Sequence, residues 1–414
     1  MLDRWIGFVL LAGVASSVLS IFVSDTFFCM AMLLWLVDCW KRKKVHLRFP
    51  PFFGFVLAFL LLVVGAIAFS NDISISLPYL KRLIKYSYIF LIFTYVKPQW
   101  VEQALRAIFA LLAGSSLYGI LQYFWLMDVT LLNRIDGFMG HWMTFSGQLM
   151  LCSVALVGYL LFYRRPAMSS PGTATASQST EGPKSHCLGN HRELLRVGGW
   201  TAVLVIFLLA LVLTQTRNAW LGTIGGLFLL LWIYRFRWMV AGMGILVVVF
   251  LALPGHFKQR LYSGFDSSDT TTRIRIELFH TGSNIIKEHP WWGVGPRMVP
   301  RIYQQYNETD EFPRWIYQHL HNNFLHIAAE MGLLTLGAWI ALWIRLLRDF
   351  IRFGRSTETD QFSSCMATIG IGVVASFLLA GLFEYNFGDS EILILLLFFV
   401  TVPYVLKYPR EETS

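Results

Sequence analysis

Residues 321–346 read HNNFLHIAAEMGLLTLGAWIALWIRL, a polar start led by a histidine and followed by a long apolar run. A run of this kind is typical of a helix that crosses the hydrocarbon core of a bilayer, which takes about 20 residues. The polar loop before it places His321 at a membrane surface. The stretch therefore predicts a spanning helix with a candidate active-site residue at its first turn.

The rest of the chain has the same character. Of its 414 residues 56% are hydrophobic and only 14% are charged, which excludes a soluble domain of this size. We expect an all-α polytopic membrane protein with about twelve transmembrane helices. The predicted spans lie near residues 5–23, 26–40, 51–69, 78–96, 101–125, 141–163, 199–215, 219–234, 238–254, 321–346, 362–382 and 390–408.

Lys and Arg collect in four short loops, and cationic loops resist translocation. An even number of spans with both ends in the cytoplasm puts all four clusters inside. The net charge of +9 then reflects topology, and we do not expect nucleic-acid binding. The clusters are Lys41 to Lys44 with Arg48, Arg164 with Arg165, Arg235 with Arg237, and Arg345 with Arg348, Arg352 and Arg355.

Three breaks divide the chain. Residues 164–198, rich in Ser, Thr, Gly and Pro, predict a disordered cytoplasmic linker between two six-helix transmembrane halves, 1–163 and 199–408. Residues 409–414 form a cytoplasmic tail. The longest outer loop, 254–320, carries eight Lys or Arg against seven Asp or Glu, and amphipathic stretches such as 274–286 predict short helices on the bilayer surface.

His321 is the candidate general base. A neutral imidazole titrates near pH 6.5 and can take a proton from an attacking hydroxyl. Asn322 is placed to orient the ring or a substrate. His319 and His326 are competing candidates, and a histidine at a helix end is commonly a cap or a surface residue.

Four arginines are candidates for binding an anionic substrate, since a planar guanidinium suits a phosphate. Arg217 follows Thr214-Gln215-Thr216 at a tight turn between two spans, where the alternative is an arginine that snorkels to lipid headgroups. The other three lie in the long outer loop. They are Arg273, Arg275 and Arg297, the last directly after the turn Gly293-Val294-Gly295-Pro296.

Several other charged residues keep two interpretations. Lys81, Arg82 and Lys85 suit either a second contact to an anionic lipid head or snorkelling. Arg134, Asp136 and His141 could line an acceptor groove or only tie down their loop, and Glu330 could be buried against a cation of another helix. The five cysteines lack metal-type spacing, so neither a disulfide nor a zinc site is expected.

Four elements occur in order on the predicted outer side. They are Thr-x-Thr-Arg-x-x-x-Leu (214–221), Arg-Ile-x-Leu-aromatic (275–279), His-Pro-x-x-Gly-Val-Gly-Pro (289–296) and His-Asn-x-x-Leu (321–325). With about twelve helices, the chain resembles the O-antigen ligase and polymerase superfamily of bacterial inner membranes. The departure is Thr335, which stands where ligases often carry the second glycine of a Gly-x-x-Gly spacing that begins here at Gly332.

The resemblance implies a metal-independent glycosyltransferase without cofactors, whose active site faces the periplasm. Its donor would be an undecaprenyl-diphosphate-linked glycan, with Arg217 and Arg275 on the diphosphate and His321 activating the acceptor hydroxyl. A ligase would use lipid A core as acceptor, and this is the favoured interpretation. A polymerase would use a second lipid-linked glycan.

A transporter of lipid-linked sugars is the alternative from another class of protein. It would require polar groups along a path through the bilayer midplane and interrupted helices. The polar residues of this chain gather instead at the predicted outer face. The sequence therefore favours an enzyme.

Overall fold

The computed structural model describes residues 2–125, 134–163, 184–252, 270–309, 311–356 and 360–410, together with residues 255, 258 and 262. Over these residues the chain is helical and contains no strand. The helices are α1 Leu2–Ser16, α2 Ile21–Arg42, α3 Phe53–Ala68, α4 Ile73–Ser76, α5 Leu80–Leu83, α6 Ser87–Tyr95, α7 Pro98–Trp125, α8 Trp142–Phe162, α9 Lys184–Leu213, α10 Arg217–Tyr234, α11 Phe236–Ala252, α12 Thr270–Glu288, α13 Val299–Ile302, α14 Asn323–Arg355, α15 Gln361–Ala380 and α16 Ser390–Lys407. Short 3₁₀ turns lie at Leu77–Tyr79, Ile84–Tyr86, Tyr303–Gln305, Arg314–Gln318 and Asn386–Gly388.

Six of the described helices are long and apolar enough to cross a membrane, namely α2, α7, α8, α14, α15 and α16. Two shorter apolar helical stretches are α3, Phe53–Ala68, and the second half of α9, Val197–Leu213. These lengths and compositions establish an all-helical, multi-pass membrane protein. The number of about twelve spans stays a prediction.

The linker predicted over residues 164–198 is only partly described. Residues 164–183 lie outside the described part of the chain, and α9 already begins at Lys184. Pro183 is the last proline before Leu213, so every residue from Lys184 to Leu213 has the N–H that a helix needs. The helical part of the chain therefore begins earlier than predicted.

The segment before α14 builds a small hydrophobic core of its own. Leu278 and Ile285 of α12 pack with the rings of Tyr303 and Tyr317, which stack at 4.0 Å between centroids. The buried carboxylate of Glu277 accepts the backbone N–H of Glu308 at 2.9 Å and ties this core together. The segment is thus a folded unit that leans on α14.

A kink in α14 receives this unit. Gly332 has a φ of +83°, a backbone conformation that glycine adopts without steric cost, and it interrupts the helical hydrogen bonds around it. Backbone groups of the turn at 290–295 fill the gap. Val294 N–H donates to Ala329 O at 3.0 Å, Gly295 N–H to Glu330 O at 2.8 Å, and Leu333 N–H to Pro290 O at 2.7 Å.

The other side of the same turn is held by the segment after α3. Asn71 N–H donates to the carbonyl of Val294 at 3.0 Å, and the Ser76 hydroxyl donates to that of Pro296 at 2.8 Å. Gly295, with a φ of +102°, lies against Ser70 where no β-carbon would fit. Hydrogen bonds therefore hold the turn at 290–295, called the clamped turn below, from both sides. They fix the backbone position of Arg297, which follows it.

Candidate active site at the start of α14

His321 and Glu384 form a hydrogen-bonded pair. His321 Nδ1 lies 3.0 Å from both carboxylate oxygens of Glu384, which is buried in the loop between α15 and α16. Because an ionised carboxylate only accepts, Nδ1 must carry the proton. The Nε2 atom then presents a lone pair, as a general base requires.

The residues after His321 explain why the pair forms. The Asn322 side chain caps α14 by accepting the N–H of Leu325 at 3.0 Å, and its amide donates to the carbonyl of Leu382 at 2.9 Å. The backbone N–H of Asn323 donates to Gly381 O at 2.7 Å. The start of α14 is thus fastened to the loop that carries Glu384.

His321 itself has a φ of +45°. Residues other than glycine occupy this left-handed region infrequently, histidine less rarely than most, and doing so costs of order 1–3 kcal/mol. The flanking hydrogen bonds hold it there. Strain of this kind is found where a side chain must point in one direction, here toward Glu384.

The competing candidate His326 is fully engaged. Its Nδ1 accepts the N–H of Leu320 at 3.4 Å, so Nε2 carries the proton and faces Glu330 at 3.2 Å. The ring is buried, 3.9 Å from the ring of Tyr385. With neither nitrogen available, His326 has a structural role.

His319 lies beside the pair without joining it. Its Nδ1 is 3.6 Å from Glu384, too far for a hydrogen bond, and its ring is 4.2 Å from that of His321. Burial lowers the pKa of His319 to about 4, so the ring is neutral at physiological pH. Burial alone would raise the pKa of Glu384, but the two histidines and the Tyr385 N–H lower it to about 2.

The same three residues are a possible metal site. Ligand atoms of His319, His321 and Glu384 lie within 4.8 Å of one another, and two imidazoles with one carboxylate are a donor set that zinc accepts. The expectation of a metal-independent site therefore stays a prediction that needs a direct test.

A second polar cluster gathers around Arg217, the first residue of α10. Arg134 donates to the carbonyl of Gln215 at 3.4 Å, and its guanidinium lies over the ring of Trp142 at 5.3 Å. Burial and the charge of Arg217 lower the pKa of Arg134 to about 10. The Nε of Arg134 is buried without a hydrogen-bond partner among the described residues. Two close guanidinium groups, one of them incompletely bonded, suit an anionic ligand.

The segment that follows Arg134 leads from this cluster to the histidines. His141 stacks on Trp142 at 5.1 Å, and its charge contributes to lowering the pKa of His319. Arg134 and His141 were left open by the sequence, with a loop-tying role favoured for them. Trp142 thus contacts both Arg134 and His141, and a role for them in an acceptor groove stays a prediction.

The three remaining arginine candidates lie on α12 and just after the turn at 290–295. Arg273 is ion-paired with Glu311, and Arg275 is half-buried two residues further along α12. Arg297 is exposed with a φ of +68°, and its backbone N–H donates to Glu330 at 2.9 Å. No hydrogen bond or ion pair joins Arg273 or Arg297 to His321 in the part of the chain that the structure describes, so their binding of substrate stays a prediction.

Among the described residues, no Arg or Lys side chain pairs with Glu330, although such a cation was the partner considered for it. Its carboxylate accepts the N–H groups of Arg297 and Val299 and pairs with His326. Glu384, in contrast, was not found from the sequence. Its only signal is an acidic residue in a short loop predicted on the same side of the membrane as His321.

Comparison with known proteins agrees with these motifs. A family model described as O-antigen ligase matches residues 202–340, which include Arg217, Arg275 and His321. A search of curated proteins found no significant match. The match places this segment of the chain in the O-antigen ligase superfamily, as its four sequence elements predicted.

Proposed function

We propose that the protein is a glycosyltransferase that moves a glycan from an undecaprenyl-diphosphate donor onto lipid A core at the periplasmic face of the bacterial inner membrane. The observation that carries the proposal is the His321–Glu384 pair within a segment matched to O-antigen ligase. It supplies a base with one free nitrogen directly before a helix that can span a membrane.

The transfer is a single displacement. An acceptor hydroxyl oxygen forms a bond to the anomeric carbon of the donor sugar, while the bond from that carbon to the phosphate oxygen breaks. The hydroxyl proton passes to His321 Nε2, and the polyprenyl diphosphate leaves with the electron pair. Glu384 stabilises the imidazolium that results.

The leaving group gains negative charge as its bond breaks. The guanidinium groups of Arg134 and Arg217 are positioned to stabilise that charge, and fixed cations in a partly desolvated site are effective in this role. Arg275 joins them by its match to the family elements. Such an arrangement requires no divalent cation.

One observation favours the second candidate, a polymerase that uses another lipid-linked glycan as acceptor. Thr335 replaces the second glycine of the spacing that ligases often carry after the histidine. The difference between the two activities lies in the acceptor alone.

The test uses purified protein in detergent with a polyprenyl-diphosphate glycan and EDTA, in parallel with lipid A core or a second lipid-linked glycan. Products are sized on a gel. Transfer onto lipid A core in EDTA supports the metal-free ligase, and lengthening of the lipid-linked chain supports the polymerase. Transfer to neither acceptor, with His321→Ala indistinguishable from wild type, would overturn the enzyme and favour a transporter.

A further inference from the structure

A cavity of about 800 Å³ lies next to the loop that carries Glu384. Tyr385, the neighbour of Glu384, lines it on one side. The cationic side chains that line it are Lys81, Arg82 and Lys85, from the segment between α4 and α6, and Arg297 and Arg301, from the clamped turn and α13. The reaction proposed above uses none of these cations.

The positive charge in this cavity exceeds the negative charge. Lys85 pairs with Asp25 at 2.9 Å, and Arg82 donates to the carbonyl of Phe387 at 2.6 Å. The other lining carboxylate, Glu330, is occupied by backbone N–H groups and His326.

Three cations remain without a counter-charge. Among the described residues, no carboxylate pairs with the side chains of Lys81, Arg297 or Arg301. Cations of one sign repel one another when they are gathered in one cavity, and a bound anion would remove that repulsion. A phosphate, with several acceptor oxygens, is the anion that Lys and Arg bind best.

The surroundings indicate that this anion has an apolar tail. Leu77, Leu80 and Ile84 belong to the same interrupted helical segment as Lys81, and their side chains are 51%, 37% and 52% exposed. In a protein that spans a membrane, such exposed leucine and isoleucine side chains face lipid. The cationic cavity therefore borders a surface that contacts acyl or prenyl chains.

The interrupted segment gives the cations their positions. Between Ile73 and Tyr95 the chain alternates α-helical turns with the 3₁₀ turns Leu77–Tyr79 and Ile84–Tyr86. A 3₁₀ turn changes the direction of side chains relative to an α-helix, and such interruptions recur at functional positions. Arg82 fastens this segment to the loop that carries Glu384.

We propose that this cavity binds the phosphate groups of a lipid-anchored acceptor and positions that acceptor for attack assisted by His321. Binding of the phosphates is independent of the proposed transfer reaction, and only the acceptor role rests on it. Two sources share this chemistry, a phosphorylated lipid A core and a polyprenyl-diphosphate-linked glycan.

The experiment measures lipid binding by the full chain in detergent with native mass spectrometry. The probes are bisphosphorylated lipid A, its dephosphorylated form, undecaprenyl diphosphate and phosphatidylglycerol. The variant is Lys81→Gln with Arg301→Gln, since neither side chain holds the fold together, and Arg314→Gln is the control, an exposed arginine of the same loop outside the cavity. Undecaprenyl diphosphate is tested in an Arg134→Gln background, so that the donor site does not mask the result.

We expect the Kd of a phosphorylated lipid to rise roughly tenfold or more in the double variant and to stay unchanged in the control. A rise confined to lipid A identifies a ligase acceptor, and one confined to undecaprenyl diphosphate identifies a lipid-linked acceptor. The proposal is overturned if the double variant binds lipid A and undecaprenyl diphosphate as tightly as the wild type does. It is also overturned if phosphatidylglycerol and the dephosphorylated lipid bind the wild type as tightly as lipid A and undecaprenyl diphosphate do. His321→Ala should bind normally, so a failure of the transfer reaction is distinguishable from a failure of this site.

Discussion

The part of the chain that the structure describes contains two pairs of a histidine and a buried glutamate, which differ in whether a ring nitrogen stays free. In the His326–Glu330 pair, both ring nitrogens are engaged, and each carboxylate oxygen accepts a backbone N–H. In the His321–Glu384 pair, the carboxylate fixes Nδ1 and no partner is recorded for Nε2 among the described residues. The same two side chains build a structural joint in one place and a reactive group in the other.

This comparison shows that the type of residue does not assign its role. The His326–Glu330 pair connects α14 to the residues after the clamped turn, because Glu330 accepts the N–H groups of Arg297 and Val299. It therefore stabilises the contact between two segments of the chain. The second pair sits at a strained backbone position and connects α14 to the loop before α16. The free lone pair on His321 is what distinguishes the reactive group.

The largest effect should come from His321→Ala. Transfer should fall by roughly 10²- to 10⁴-fold, the usual contribution of a general base, while the melting temperature in detergent stays near that of wild type. His319→Ala is the matched control and should retain most activity. Equal losses from both variants would remove the distinction between the two rings.

A substitution in the His326–Glu330 pair should lower the stability of the protein and leave its activity largely intact. Glu330→Gln leaves one of the two backbone N–H donors facing an amide NH₂, so we expect a loss of about 3 kcal/mol in the free energy of unfolding. Thermal unfolding of the purified protein measures this loss. Protein that remains folded should keep its activity per folded molecule, and an inactive but equally stable variant would contradict a structural role.

A smaller loss is expected for Glu384→Gln, because Glu384 positions the base and touches no substrate. We expect kcat to fall roughly 10- to 100-fold with KM nearly unchanged. Steady-state kinetics with a soluble acceptor analogue separates the two constants. A rise in KM alone would indicate that Glu384 binds the acceptor.

Added zinc tests the His321–Glu384 pair without a substitution in it. Micromolar Zn²⁺ should inhibit by binding His319, His321 and Glu384, and EDTA should restore full activity. His319→Ala should weaken that inhibition without a matching loss of activity. Loss of activity in EDTA, reversed by Zn²⁺, would show instead that the metal takes part in the reaction.

The smallest effect concerns Asp389, the residue before α16. Burial, together with Glu384 and Glu391, raises the pKa of Asp389 to about 7, whereas an unfolded aspartate titrates near 3.9. Its stabilising contribution is therefore complete below the unfolded pKa and is lost as pH rises through about 7. The melting temperature of Asp389→Asn relative to wild type should thus increase between about pH 5 and pH 8. A difference that does not change with pH would place the aspartate in a more exposed setting.

Much of the local structure could be predicted from the sequence. The start of α14 follows from Asn322, because a side-chain cap before an apolar run is a local signal. The turn at 290–295 follows from its glycines, which permit the positive φ angles seen there. The resemblance to a family added the order of these elements along the chain.

The partners of these residues could not be predicted, because they come from distant parts of the chain. Glu384 meets His321 across 63 residues through bonds between two loops. The sequence left Arg134 with two interpretations, an acceptor groove or a tie within its loop, because its partner Gln215 lies 81 residues away in the chain. The kink at Gly332 is likewise visible only with the turn that fills it.

The clamped turn has a consequence for how such a protein can diversify. Its three hydrogen bonds to the kinked α14 join backbone to backbone, so they impose almost no demand on side chains beyond the glycines 293, 295 and 332. The turn thus fits into the interruption of α14 through backbone groups alone. The side chains of the turn other than these glycines are therefore free to vary without breaking the backbone hydrogen bonds that join it to α14.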